Sequence, residues 1–344
     1  MTPKDRIMNL LAGEEIDRRP VQLDFSPLML PKMYEHFGIP QGFEEDLLSF
    51  IDNHFVYAFL DDPFGKQRRR NFKNRIEYDD WGVGWDMDQE GIFMVNHPLS
   101  GKDSLKDYEF PDPDRDGLLK YAAPLAERYG DTHLVASYQV FGLNERASAL
   151  RGYTDWLMDV MINQDFAAEL LEGITRYQVR LAENYIREGV NCGRVADDFG
   201  MQSSMMMSPE IFRQLFKPCL AKIFKVYKDA GLPVVYHSCG DIRPIIGDMI
   251  EIGVDVLNNV QPEAMPREEL AEQFGDTGLL FYGGISTQQV LRTGAREEIE
   301  KEVQDCLATL GRRGRWIMST GISITSDTPV ETVDILIDVI EKNR

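Results

Sequence analysis

Residues 233–260 read PVVYHSCGDIRPIIGDMIEIGVDVLNNV, and this stretch decides the fold class. PVVYH is a short run of β-branched and aromatic residues, the mark of a buried strand. RPIIGDMIEIG reads as a helix, and VDVLNNV returns to strand. Strand, helix and strand in close succession mean parallel strands joined by a crossover helix.

The pattern extends in both directions. Before it, SPEIFRQLFKPCLAKIFKVYKDAG (208–231) places apolar residues at 212, 215/216, 219/220, 223 and 226/227, the helical spacing. Ser208 suits the N-cap, Pro209 the first helical position and Gly231 the stop, while Pro218 should bend the helix. After it, PREELAEQFG is a helix, LLFYGG a strand, REEIEKEVQDCLATLG a helix, RWIMST a strand and PVETVDILIDVIEKN a last helix. Upstream, PVQLDF, HLVASYQ and CGRVADDFG read as further strand ends. The total fits about eight units, so the expected fold is a closed α/β (β/α)8 TIM barrel. It is expected to form one domain over residues 1–344, with an N-terminal extension. The alternative, an open doubly wound sheet, loses its dinucleotide-binding form because no GxGxxG follows a strand.

Composition narrows the partners. The chain has 344 residues, 43% of them apolar, and a formal net charge of −20. So acidic a surface repels phosphate backbones, which excludes nucleic acid as an expected partner. No apolar run approaches the roughly 20 residues that span a bilayer, and the N-terminus lacks a signal-peptide core, so a cytoplasmic protein without membrane contact is expected. The four cysteines are scattered without a CxxC, which reads as free thiols or a metal ligand. The basic run KQRRRNFKNR (66–75) reads as a solvated loop or helix face.

In a (β/α)8 barrel, chemistry gathers where strands end. Asp24, Tyr138, Asp197, Asp198, His237, Cys239, Gln261 and Ser286 all fall at expected strand ends. Residues two apart on a strand face the same way, so His237 and Cys239 converge while Ser238 turns aside. Imidazole and thiolate suit zinc, although a catalytic zinc takes three protein ligands. The bland alternative is a satisfied strand-end histidine beside an inert thiol. Asp197-Asp198 reads either as a cap for backbone N–H groups or as a metal ligand, general acid/base or substrate clamp. MQSSMMMS (201–208) suits an adaptable apolar lid over a large flat ligand, with Met205 a candidate cofactor contact, or plain gap filling. Trp81 and Trp85 read as packing. Glu145 and Arg146 either line the mouth or pair on the surface.

With these residues in place, the chain resembles the uroporphyrinogen decarboxylase-like superfamily, which includes that decarboxylase and the zinc- and corrinoid-dependent methyltransferases of methanogens and acetogens. The resemblance rests on EEIDRRPV (14–21), DDFG (197–200), MSPEIFRQLFKP (207–218), VVYHSCGDI (234–242), IGVDVLNNVQP (252–262), FYGGISTQQVL (281–291) and SDTPVETV (326–333). It implies a (β/α)8 barrel with its cavity at the strand C-termini. The decarboxylases carry an arginine-rich segment after the first strand that clamps substrate carboxylates. Here LDFSPLMLPKMYEHFG (23–38) has no arginine and only Lys32 as a positive charge before His36. The methyltransferase branch therefore looks nearer, with decarboxylation or lyase chemistry, or a non-catalytic binding barrel, as the alternatives.

In that branch the HxC pair, here His237 and Cys239, supplies two zinc ligands. The family's later cysteine lies seven residues before the proline of the final motif, and Ile322 stands there. The resemblance then leaves these outcomes. Asp198, Glu145 or another carboxylate is the third ligand, a harder N/O/S site suited to an oxygen-bound methyl rather than to activating a thiol; or the zinc has been lost and the barrel binds its ligand without that chemistry. With no DxHxxG in the chain, the corrinoid is expected on a separate partner protein. The roles expected are catalytic for Asp198, Tyr138 and Glu145, cofactor-binding for Asp24, Gln261 and Met205, and metal-binding for His237 and Cys239.

Overall fold

In the computed structural model, which describes residues 1–39, 44–68, 75–89, 91 and 93–344, eight segments pair edge to edge in a ring. They are β1 (21–25), β2 (Phe55–Ala58), β3 (Leu134–Ser137), β4 (Gly193–Ala196), β5 (Val234–His237), β6 (Val256–Val260), β7 (Leu280–Ile285) and β8 (Trp316–Thr320). β4 to β8 form one continuous parallel sheet, and β2 pairs with β3 in parallel. Single bridges complete the circuit: Ala136 to Cys192 joins β3 to β4, and Val21 reaches both Asn53 beside β2 and Met318 on β8. The expected α/β barrel is the observed architecture.

Side-chain alternation builds two cores from the same strands. Phe55, Leu134, Cys192, Val235, Val256, Leu280 and Ile317 form one buried cluster inside the ring. Ile7 and Leu10 of the N-terminal helix α1 (Pro3–Ala12) join that cluster and close the end opposite the strand C-termini. Val56, Val135, Val195, Tyr236, Leu257, Phe281 and Met318 belong to the other cluster, packed against the surrounding helices. The strands are thus buried on both faces, which is why they read as near-continuous apolar runs.

Sequence reading missed two features. β2, the FVYA of HFVYAFL, is one of the eight barrel strands but has no alternation to mark it. Between β2 and β3 lies a three-stranded antiparallel sheet, Ile76–Tyr78, Gly84–Asp86 and Met94–Asn96. It packs through Trp81 and Trp85, both buried as expected. The Asp79 carboxylate organises this insertion, accepting from the Trp81 and Val83 N–H groups and from the Trp85 indole. Arg146 pairs with Asp79 at 2.5 Å, with both side chains buried. Arg146 is therefore neither at the barrel mouth nor in a surface pair, the two places expected for it; its guanidinium lies over the Trp81 ring instead.

The bend expected at Pro218 is a π-helical turn, Phe212–Phe216, inserted between Pro209–Ile211 and Lys217–Asp229. Proline lacks the N–H that an α-helix would use there, and the widened turn absorbs the lost bond. Of the basic run 66–75, residues 69–74 lie outside the described residues; Arg75 pairs with Asp86. Among the described residues no helix is long and apolar enough to cross a membrane.

Candidate functional site

The C-terminal ends of β4 and β5 are held together by two glycines. A Cβ on Gly240 would sit 2.3 Å from the Gly200 carbonyl carbon, and one on Gly200 would sit 2.5 Å from the Gly240 carbonyl carbon. Only bare backbone permits so close an approach, and Gly240 also has φ +76°, which favours glycine. The contact is reinforced by bonds from the Asp241 N–H to the Met201 carbonyl and from the Phe199 N–H to the Ser238 hydroxyl. Ser238 is thereby turned into the protein, and His237 and Cys239 face the mouth.

Three potential ligand atoms converge there. The atoms offered by Asp198, His237 and Cys239 lie within 4.8 Å of one another. Cys239 Sγ is 3.6 Å from His237 Nε2, which is 4.0 Å from Asp198 Oδ1. The Cys239 N–H donates to the same Asp198 oxygen at 2.7 Å. His237 Nδ1 donates to Asn258 Oδ1 at 2.6 Å, which leaves the Nε2 lone pair facing the cluster. Burial and the Arg194 guanidinium hold His237 below its usual pKa, so the ring is neutral. Burial, with the Asp198 and Glu145 carboxylates, pushes the Cys239 thiol well up. A neutral imidazole with an orienting partner, a thiol and a carboxylate are a donor set that fits zinc, and the residues present fit that ion.

Asp197 does what the capping reading described. Its carboxylate accepts the N–H groups of Leu143, Asn144 and Glu145, the opening turn of the helix α2 (Asn144–Arg151). Burial drives its pKa up to about 7, against those three bonds, which favour the ionised form. The cap brings Glu145 beside the mouth. Burial, then the Asp198 and Asp197 charges, raise the Glu145 pKa well above the usual carboxylate range.

The other expected residues separate into groups. Asp24 lines the cavity with His237, Asn258, Tyr282 and Ile322. Its carboxylate accepts from Gln22, Tyr57 and Tyr282. Ile322 thus lies on the cavity wall, just past the end of β8. Tyr138 does not line this cavity; its ring lies 4.4 Å from Phe59 and 4.9 Å from the Arg194 guanidinium. Gln261 accepts the Gly240 N–H and supports the loop that carries Cys239. Ser286 turns away to Glu263. Met205 and Met206 pack on the core and Met207 is buried, so this part of the loop fills space; Met201 stands exposed. Lys32 points outward to the Ser326 carbonyl and leaves the cavity without its charge.

The residue that sequence reasoning passed over is Arg194, buried inside the ring on β4. Its signal was present: a lone charge within the apolar strand GRVA, where nothing on the sequence explains it.

The profile of the Uroporphyrinogen decarboxylase (URO-D) family matches residues 75–343. The chain belongs to the URO-D family. Among curated proteins, a methylcobamide:CoM methyltransferase MtaA of Methanosarcina barkeri is 25% identical over 173 residues, 50% of this chain and 48% of that protein. A uroporphyrinogen decarboxylase of Thermus thermophilus has the same identity over the same length, again covering 50% and 48%. The match spans about half the length of these curated relatives, and identity does not separate methyl transfer from decarboxylation. Among solved structures, a methyltransferase from Methanosarcina mazei superposes with a TM-score of 0.75 at 20% identity, covering 99% of both chains. A B12-independent methionine synthase from Shewanella follows with a TM-score of 0.52 at 10% identity, covering 95% of both. These likenesses concern the fold, and the reading of this URO-D family chain's chemistry rests on its own residues.

Proposed function

We propose that this chain is a corrinoid-dependent methyltransferase of the URO-D family, acting as one barrel domain over residues 1–344. Asp198, His237 and Cys239 would hold a zinc ion, and the methyl group would move between a small molecule and a corrinoid carried on a separate protein. The observation that carries the reading is the Asp198–His237–Cys239 cluster with His237 oriented by Asn258. When bound, zinc supplies Lewis acidity toward a substrate heteroatom, and the corrinoid supplies the methyl-carrying cobalt. A carboxylate in place of a second thiolate makes a harder donor set, which favours an oxygen-bound methyl group over a thiol.

The chain's own groups would do the rest. Asn258 fixes the His237 ring, and Gln261 braces the loop behind Cys239. Ile322 makes one wall apolar and contributes no ligand. Glu145, beside Asp198, would hold the proton for the oxygen that loses its methyl group. Asp24 and, through Arg194, Tyr138 would shape the inner end of the cavity, and the exposed part of the loop at Met201 would meet the corrinoid carrier, while Met205 packs beneath it. Decarboxylation of a polycarboxylate is less well supported, because the segment after β1 offers no guanidinium and Lys32 faces outward.

The test is methylation of reduced cobalamin by small methyl ethers, followed by the cobalt absorbance. The reading predicts turnover that is slow with free cobalamin, faster with the cognate carrier protein and lost in Cys239→Ala. Efficient substrate consumption with no corrinoid present would overturn it.

A further inference from the structure

Arg194 is 7% exposed, yet it forms no ion pair among the described residues. Its Nε and Nη1 atoms have no hydrogen-bond partner. The guanidinium lies between the rings of Tyr57 and Tyr138, 5.0 and 4.9 Å from their centroids. Stacking on tyrosine faces stabilises a buried cation but uses none of its donors. A buried charge without a partner is costly, and proteins rarely retain one that has no task.

The side chain reaches the same cavity that His237, Asn258 and Ile322 line. Asp24 shares that cavity, yet its oxygens accept from Gln22, Tyr57 and Tyr282, all neutral donors, and none from Arg194. Asp24 thus takes no hydrogen bond from Arg194, and the Nε and Nη1 donors remain unspent. One positive charge, with an aspartate close by, matches a single negative charge and disfavours a multiply charged ligand.

We propose that Arg194 is the anchor for one carboxylate on the small-molecule substrate, held at the inner end of the cavity whose mouth carries His237 and Cys239. This deepens the function proposed above and rests on the same cavity being the substrate site, but it does not depend on metal or corrinoid. A charge-assisted guanidinium–carboxylate bond supplies orientation as well as affinity. It would set which end of the substrate points inward and which reaches the mouth.

The experiment is calorimetric titration of metal-free protein with methoxyacetate and with methoxyacetamide, its neutral counterpart of nearly the same shape. Wild type should favour the carboxylate by about tenfold or more, the ratio expected for one charge-assisted hydrogen bond. Arg194→Met should lose the preference and Arg194→Lys should keep part of it. Cys239→Ala should keep it in full, which separates this claim from the zinc reading. Equal binding of the two probes to wild type, or no carboxylate binding at all, overturns the proposal without any variant having to fold. A preference that disappears in Cys239→Ala but survives in Arg194→Met also overturns it, by placing the anion at the mouth.

Discussion

Gly240→Ala tests the joint that brings the two halves of the candidate metal site together. The new Cβ would lie 2.3 Å from the Gly200 carbonyl carbon and 2.6 Å from both the Gly200 oxygen and the Met201 nitrogen. All three are backbone atoms, so no side chain can swing away, and the two loops must part by about 1 Å to restore van der Waals contact. Overpacking of this kind costs about 1–3 kcal/mol. Holding an L-residue at φ +76° adds about 1–2 kcal/mol. The expected destabilisation is therefore about 2–5 kcal/mol. Separation of the loops also pulls Asp198 from the Cys239 N–H, so metal affinity should fall with stability. Gly247 is the control: it sits within the helix Arg243–Glu251 with nothing within 4 Å of its Cβ position. Gly247→Ala should stabilise by roughly 0.5–1 kcal/mol. The assay is urea unfolding at constant m, paired with a zinc titration against a competing chelator. A Gly240→Ala protein as stable as wild type, with unchanged zinc affinity, would refute the account of how the site is assembled.

Two further outcomes are expected. His54 is fully buried, and burial lowers its pKa to about 4 from an ordinary 6.5. The unfolded chain binds a proton below about pH 6.5 that the folded chain refuses until about pH 4, so stability present above 6.5 is lost as pH falls through 4, by at most about 1.4 kcal/mol per pH unit. His54→Gln should flatten that slope in urea midpoints taken between pH 7 and 5, and parallel slopes for the two proteins would contradict the burial argument. Ile322→Cys should tighten zinc binding, because Ile322 shares the cavity wall with His237. Even outer partners of a metal site command roughly 10–100-fold in affinity, so an added ligand should reach that range, and an unchanged affinity would mean residue 322 does not face the ion.

Much of the fold was legible because burial on both faces leaves a strong trace in sequence. Seven barrel strands stood out as apolar runs between helical periods. β2 did not, because its four residues follow the irregular segment at Asn53-His54 and lead into the insertion rather than into a helix of clear period. The antiparallel insertion was obscured for a different reason. Its three strands are short and partly exposed, and their order depends on Asp79, whose partners at Trp85 and Arg146 are invisible until the chain folds. The site was legible in part. Strand alternation aimed His237 and Cys239 at one point and turned Ser238 away. Asp197 and Asp198 could not be told apart by sequence, since adjacent residues face opposite ways and only the structure fixes which one caps α2. Arg194 escaped because a charge inside a barrel strand has meaning only once the ring is closed around it.

The most direct measurement is the metal content of the protein purified without added metal, by elemental analysis, alongside Asp198→Ala, His237→Ala and Cys239→Ala. The account predicts about one zinc per chain in the wild type, as a three-ligand catalytic site requires, and loss of that zinc in each variant while circular dichroism shows the fold retained. A wild type without bound metal, or folded variants that all keep their zinc, would contradict the claim that these three side chains form the centre of the site.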